Sequence, residues 1–417
     1  MNAIKTKIIA TIGPSTKTYD SLKKLHKAGM NVARINMSHA THSDAQNIID
    51  IVHQINSEQS VDYGPIGLLL DTQGPEIRTG INQSDIDLTI GDIVNLTIRE
   101  DLDVETSSIQ INYKGLIKSV SKGSRISIDN GLINFRVLAK DKENLTCKVL
   151  DGGKLGSKRH VNLPGVRVDL PSITKKDRKD IHLAIKNNVS FIALSFVRSA
   201  QDILDLRDIL KKKKSSARII AKIENQEGLD NIHEITKATD IVMVARGDLG
   251  IETDLADLPN IQRRIMYATA KWGKRSIVAT HLLESMIVNP TPTRAEVTDV
   301  ANAIYEGADA VMLSGETSVG KYPVQCIKML KNIATKTENF RTLGYEEFLT
   351  EKSDWQNIAV AARDLATRIN ADGIVVVTRS GQTADVISST KPFRMPIHAF
   401  TNNQETFQQL SLVGGMQ

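Results

Sequence analysis

Cysteine is nearly absent from this chain: Cys147 and Cys326 are the only two among 417 residues. Two thiols cannot staple a small secreted fold, so a disulfide framework is excluded and a reducing compartment, the cytoplasm, is expected. Long apolar runs are missing too. No window approaches the roughly 18 uninterrupted apolar residues of a membrane span. Near the N-terminus, Lys7 and Gly13-Pro14 break up the apolar stretch that a secretion signal needs. Nor is there a strong charge of either sign: 53 Lys and Arg oppose 48 Asp and Glu, a net +5 that is too mild to imply nucleic acid. The basic run Lys211–Lys214 reads as a solvated helix end. Internal repeats and low-complexity tracts are lacking as well. With 24% charged and 41% hydrophobic residues, the chain is neither disordered nor collagen-like, and its length predicts about three domains.

What the chain has instead is rhythm. Short, nearly continuous apolar runs recur at Lys7–Thr11, Asn31–Ile35, Ile66–Leu70, Phe191–Ser195, Arg218–Ile223, Ile241–Val244, Ser276–Thr280 and Ala310–Ser314. Strands buried on both faces of a parallel sheet require such runs. Stretches with amphipathic helical spacing separate them, among them Ser21–Ala28, Asp177–Asn187, Ala200–Lys211, Leu258–Lys271 and Thr293–Tyr305. Eight such strands predict an α/β fold of the (β/α)8 TIM barrel type, with its chemistry at the C-terminal ends of the strands.

One interval breaks the rhythm. About 120 residues separate the third run from the fourth, far beyond an ordinary strand-to-helix loop. Within it, 88–98, 125–138 and 145–153 alternate with period two, punctuated by Gly91-Asp92, Asn130-Gly131 and Gly152-Gly153, as a small β domain would be. The reading is an inserted β-barrel lid over 75–170, free to move, set into a catalytic barrel made by 1–74 and 171–341. Beyond the barrel, Lys321–Asn339 reads as a helix and Gly344–Lys352 as a polar linker. Residues 342–417 then alternate helix and strand, a C-terminal α/β domain that reads as truncated at two strands.

Nearly every strand of the expected barrel ends in polar groups. The second delivers Arg34, Asn36, Ser38 and His39; the third delivers Asp71 and Thr72, followed by Glu76 and Arg78. The fifth puts Lys222 and Glu224 two apart, so both face the same way. The sixth ends in Arg246-Gly247-Asp248, the seventh in Thr280-His281, and the eighth in Ser314-Gly315-Glu316-Thr317. So many charges on one rim have no packing rationale, because a buried charge costs several kcal/mol unless it is paired. A purely structural ion-pair network of Lys222, Glu224 and Asp248 is the rival reading.

The chemistry these groups suit follows from their types. Glu224 and Asp248 are hard oxygen donors of the kind Mg²⁺ takes. Lys222 beside them offers an ammonium to a transferring phosphoryl group, while Arg34 and Arg78 offer planar forks to phosphate oxygens. Gly247 permits close backbone approach, so its amide and that of Asp248 are candidate donors to an anionic oxygen. Asn36, Ser38, Asp71 and Thr72 form an oxygen-only cluster suited to a monovalent cation. Phosphoryl transfer needs positioning and neutralised charge more than covalent help, and this set supplies both.

The strings TKIIATIGPS, MNVARINMSH, LLLDTQGPEIRTG, GSKRHVNLPG, ALSFVR, IIAKIENQEG, MVARGDLGIE, ATHLLESMI, NPTPTRAEVTDVANAIYEGADAVMLSGETSVGKYP and TRSGQTA occur in this order over essentially the whole chain. Together they resemble the pyruvate kinase family. The resemblance implies transfer of the phosphoryl group of phosphoenolpyruvate to ADP, giving pyruvate and ATP as the final step of glycolysis. It implies a split (β/α)8 barrel with an inserted lid and a C-terminal α/β domain. By motif position, Lys222 matches the lysine that stabilises the transferring phosphoryl group, with Arg34 and Thr280 as the other catalytic residues. Arg34, Lys222, Gly247, Asp248 and Thr280 are implied to bind substrate. Glu224 and Asp248 would hold Mg²⁺ or Mn²⁺; Asn36, Ser38, Asp71 and Thr72 would hold K⁺. Asn36, Ser38, His39, Arg78 and Arg159 fall on the nucleotide side. Family members that dispense with potassium carry Lys at the position of Glu76, so potassium dependence is expected. Barrel pairing within the family implies a homo-oligomer; neither nucleic acid nor a membrane is an expected partner.

The departures are few. His281 stands where the family has Gln, and reads either as a neutral polar swap or as an altered proton relay, since His titrates near neutrality. Arg159 and Gln73 replace lysines, and Asn130 replaces an aspartate of the lid. Thr378–Ala384 follows an expected strand and opens an expected helix. It is an ordinary capped turn or, by the resemblance, a sugar-phosphate effector loop, which the shortened C-terminal domain would leave with an incomplete pocket. Two rival functions stay open: an aldolase or mutase handling an enolpyruvate, and a C-truncated, weakly active paralogue serving as a binding or regulatory subunit.

Overall fold

Strands β1 (Lys7–Thr11), β2 (Val32–Asn36) and β3 (Gly67–Asp71) open the fold, each buried almost throughout. The chain then leaves the sheet and builds β4 (Ile86–Leu88), β5 (Ile93–Thr97), β6 (Ser108–Gln110), β7 (Arg125–Ile128), β8 (Ile133–Lys140), β9 (Asn144–Asp151), β10 (Gly153–Leu155) and β11 (Val161–Asn162). It returns with β12 (Phe191–Leu194), β13 (Arg218–Ile223), β14 (Ile241–Ala245), β15 (Arg275–Ala279) and β16 (Ala310–Leu313). The computed structural model describes residues 4–58, 64–82, 84–99, 108–349 and 353–416.

The first three strands and the last five close into one barrel, in the order β1-β16-β15-β14-β13-β12-β3-β2. Every pairing in it is parallel, and these are the eight runs expected from the sequence. Strand β3 pairs directly with β12, Leu69 against Phe191, so the insertion leaves the barrel uninterrupted. Alternation divides the apolar residues between two cores. Ile9, Val32, Leu69, Phe191, Ile220 and Ile277 fill the barrel interior, while Ile8, Ile35, Leu68 and Leu194 face outward beneath the helices.

The inserted segment has its own core around Phe135, Leu145 and Cys147. Six strands run in the order β11-β7-β8-β9-β5-β6, with β4 and β10 as a separate two-stranded ribbon. The entering chain rolls this sheet up: Arg78 bridges His160 beside one edge and Thr79 bridges Ile111 beside the other.

The C-terminal unit consists of the helix Asp354–Arg368, β17 (Ile374–Val377), the helix Gln382–Ser389, β18 (Ile397–Phe400) and the helix Gln404–Gln409. Its two strands are parallel. It sits on the barrel's floor through buried charge. Asp309 takes Arg275 at 3.3 Å and Lys391 at 2.5 Å, and Arg218 reaches Asp385 at 2.9 Å. Burial pushes the Asp309 carboxyl up, but Lys391 and Arg275 hold it below the usual carboxylate range. Leu412 joins the apolar cluster inside the barrel.

The expected polar linker differs. Tyr345–Phe348 is a turn of 3₁₀ helix, and its two aromatic rings lie 5.9 and 5.5 Å from Tyr267 on the helix Leu258–Lys271. Two aromatics in an otherwise polar string suffice to anchor it; residues 350–352 of that stretch lie outside the described residues. Among the described residues, no helix is long and apolar enough to cross a membrane.

Candidate active site

Three neighbouring strands, β3, β12 and β13, and the residues just beyond them converge on one ammonium. Lys222 Nζ, from β13, lies 3.2 Å from Asp71 Oδ1 at the end of β3 and 2.9 Å from Glu224 Oε1. It also donates to Ser195 Oγ, just past β12, at 2.7 Å. Asp71 is shared. Its other oxygen accepts two nitrogens of Arg34, at 2.8 and 2.7 Å, and Arg34 is steadied by Thr11 Oγ1 at 2.8 Å. Gly74 lets the chain leave β3 past this point: its φ is +74°, and a Cβ there would stand 2.9 Å from that of Ser195.

The charges do not balance. Burial alone would lower the pKa of Lys222, yet Asp71 and Glu224 hold it above its ordinary range. Burial likewise pushes Asp71 up, and Lys222 and Arg34 more than reverse it. Glu224 goes the other way. Burial raises it to about 7, because Lys222 is shared with Asp71 and Asp248 adds repulsion. Asp248 is also raised by burial; Lys222 opposes this, and Glu76 and Asp71 add to it. Three cations, Arg34, Arg78 and Lys222, face four carboxylates, Asp71, Glu76, Glu224 and Asp248, and the deficit falls on Glu224 and Asp248. Two oxygen donors short of positive charge fit Mg²⁺, which usually binds one or two carboxylates and fills its shell with water or substrate oxygens. No cluster of three or more potential His, Cys, Asp or Glu ligands occurs among the described residues.

A cleft of about 400 Å³ opens between this rim and the lid. Arg34, Asn36, Ser38, His39, Arg78, Arg159, Lys222, Glu224 and Asp248 all line it. Gly247, Thr280, Asp71 and Thr72 are not among the residues of its wall. Gly247 gives its N–H to Thr280 Oγ1 at 2.8 Å, so that amide is engaged within the rim. Asn36 and Asp71 are register partners on β2 and β3, which brings the expected K⁺ residues side by side. Three of them already accept from protein donors: Asp71 from Arg34 and Lys222, Asn36 Oδ1 from Ser38 N–H at 3.2 Å, and the Thr72 carbonyl from Ser195 Oγ at 2.7 Å. Glu76 Oε2 takes Arg78 and Gln73, each at 2.7 Å. On the lid, Arg159 lies 3.4 Å from Asp129.

Thr280 is held in an unusual backbone. Its φ is +66° and that of His281 is +53°, a left-handed conformation that costs a β-branched residue on the order of 1–3 kcal/mol. Arg246 supplies the restraint. Buried after β14, it donates to the Thr280 carbonyl at 2.6 and 3.2 Å and to Ala279 at 3.2 Å, and pairs with Asp299 at 2.7 Å. The His281 side chain is 61% exposed and 3.7 Å from Glu284, facing solvent. In the loop Thr378–Ala384, Gly381 N–H donates to Thr378 Oγ1 at 3.0 Å and Ser380 is exposed.

Ser195, Phe196, His160 and Arg246 were given no role by the sequence. Ser195 had a signal, since it closes an apolar run of the sequence as Thr280 does. Phe196 had none: it acts through its backbone, donating N–H to Glu224 Oε2 at 2.6 Å from a left-handed φ of +54°.

Residues 3–327 match the family model for the pyruvate kinase barrel domain, and 356–417 that for the pyruvate kinase alpha/beta domain. A pyruvate kinase of Staphylococcus epidermidis is 44% identical, aligned over 99% of this chain and 71% of its own length. One of Staphylococcus aureus is 43% identical over the same shares. Among solved structures, a pyruvate kinase from Cryptosporidium parvum matches with a TM-score of 0.96 at 36% identity, covering 100% of this chain and 86% of that one.

Proposed function

The chain belongs to the pyruvate kinase family and transfers the phosphoryl group of phosphoenolpyruvate to ADP; from that premise we propose which of its residues perform the transfer. Lys222 meets the phosphoryl group in flight. The observation that carries this is its position, an ammonium kept charged by Asp71 and Glu224 at the wall of the cleft. Its charge stands where negative charge spreads over the equatorial oxygens of the transition state. Arg34 orients the donor's phosphate, and Asp71 fixes the plane of its guanidinium. Thr280 lies beside the carbon of the enolate that is protonated after transfer. Asn36, Ser38, His39, Arg78 and Arg159 form the nucleotide side, with 75–170 closing as a lid over the barrel of 1–74 and 171–341, and 342–417 forming the C-terminal unit.

Glu224 and Asp248 would hold a divalent cation, Mg²⁺ or Mn²⁺, which supplies charge neutralisation to the substrate oxygens when bound. Asn36, Ser38, Asp71 and Thr72 would take K⁺. The enzyme acts in the cytoplasm as a homo-oligomer. The alternative of a weakly active binding subunit finds no support, because none of the phosphoryl or metal groups is missing from the sequence.

The test is pyruvate formation from phosphoenolpyruvate and ADP with Mg²⁺, in matched potassium and potassium-free buffers. Turnover that needs potassium is the expected result, and Glu76→Lys should remove the need. Turnover in both buffers for the unaltered chain would refute the potassium site while leaving the phosphoryl chemistry intact. No turnover from a folded chain would overturn the assignment to Lys222.

A further inference from the structure

One side chain of the lid reaches the carboxylates of the barrel. His160 precedes β11; its backbone bridges Arg78, and its carbonyl accepts the Asp129 N–H at 3.0 Å. The imidazole is only 15% exposed, and its Nδ1 stands 3.8 Å from Asp248 Oδ1. That is too long for a hydrogen bond, but a small closing movement of the lid would make one. The ring also lies 6.1 Å, centre to centre, from Phe196, the residue whose N–H holds Glu224. His160 therefore faces Asp248 on one flank and the anchor of Glu224 on the other. Two residues on, Asn162 donates to Glu252 at 2.9 Å, on the helix Arg246–Glu252 that also carries Asp248. Lid and carboxylates thus meet along one continuous line of contact.

We propose that His160 is a positioning residue that makes lid closure and divalent-cation affinity a single equilibrium, by fixing Asp248 and, through Phe196, Glu224. The inference rests on the assignment of Glu224 and Asp248 as cation ligands. Its physical basis is that a ligating carboxylate held by an outer partner loses less freedom on binding, and such partners are commonly worth 10–100-fold in affinity. Linkage makes the effect reciprocal. If His160 improves cation binding, the cation must favour the closed lid by the same factor, with no substrate present.

The experiment uses the full chain and Mn²⁺ alone. Binding is followed by the electron paramagnetic resonance of free Mn²⁺, and lid closure by hydrogen exchange of amides 161–163. His160→Ala and His160→Leu remove the nitrogen, the leucine keeping bulk against Phe196 in case the alanine variant does not fold. His160→Asn returns a donor near the Nδ1 position. Mn²⁺ affinity should fall roughly tenfold in the first two, with loss of the Mn²⁺-induced slowing of exchange, and the asparagine should restore most of both. Unchanged Mn²⁺ binding in His160→Leu, alongside lost binding in Glu224→Gln, would overturn the proposal and leave the ligand assignment standing. Unchanged binding in Glu224→Gln would remove that assignment and the proposal with it. Weakened binding that asparagine does not restore would reduce His160 to a packing role, which also overturns it.

Discussion

Lys222 is held between two buried carboxylates, Asp71 and Glu224, so removing its charge should do two separable things. Lys222→Gln should lower kcat by at least two to three orders of magnitude, as for loss of a group that meets transition-state charge, with a much smaller change in KM for phosphoenolpyruvate. It should also destabilise the fold by about 3–5 kcal/mol, because Glu224 is left buried without its cation while Asp71 keeps only Arg34. Steady-state kinetics and urea melts check the two effects; a kcat within tenfold of the parent would sink the catalytic role. At this scale the sequence was informative wherever a charge follows an apolar run, as with Arg34, Lys222, Glu224 and Asp248. It was silent on Phe196, whose contribution is a backbone N–H, and it showed Arg246 as a rim charge without showing that its guanidinium holds the backbone of Thr280.

The helix Arg246–Glu252 and the lid strand β11 meet at a carboxyl that titrates near neutrality. Burial raises Glu252 from 4.5 to about 7; the hydrogen bond from Asn162 opposes this and the charge of Asp248 adds to it. A raised carboxyl favours the folded state while it is protonated. Its stabilisation is full below about pH 4.5 and is lost as pH rises through about 7. Glu252→Gln keeps the acceptor for Asn162 and abolishes the titration, so at pH 8 the variant should exceed the parent in stability by on the order of 1 kcal/mol. Urea melts of both proteins between pH 5 and 8 decide it, and parallel profiles would count against the titration of this group. Elements differed in how openly the sequence declared them. The barrel strands announce themselves because burial on both faces leaves nothing but apolar residues. The lid's alternation was visible too, whereas its pairing was not: β8 and β9 shift register at Asn134/Phe135 and again at Val137/Ala139, and such bulges leave no mark in a hydrophobic pattern. The stretch around Tyr345 misled for a related reason, since one aromatic contact outweighs a polar composition.

The molecule as a whole is joined by charges whose pairing has no mark in the order of residues. Arg275 and Asp309 lie at or just before the N-terminal ends of β15 and β16, the face of a barrel that carries stability rather than chemistry, and Lys391 reaches them from the C-terminal unit. Because that node is buried, the unit should unfold with the barrel in one transition. Trp272→Phe leaves Trp355, on the helix Asp354–Arg368, as the sole tryptophan reporter. Its fluorescence should follow the loss of overall helicity on heating. Asp309→Ala should separate the two signals and lower stability by about 3–5 kcal/mol, having taken away the carboxylate of Lys391 while Arg275 keeps only Asp385. An early Trp355 transition in the parent would show instead that the unit is only loosely attached. The same seam has a consequence for the making of the protein. Lys5 accepts the N–H of Gly415 at 2.9 Å, Lys7 reaches the carbonyl of Met416, and Leu412 packs inside the barrel with Ile9 and Val32, although about 400 residues separate the two ends of this contact. Ribosomes add roughly 5–20 residues per second, so the first strand waits on the order of 20–80 s for the residues that seal it. Throughout that interval the underside of the barrel is open, and a nascent chain on a crowded polysome must be shielded from its neighbours until the seal arrives.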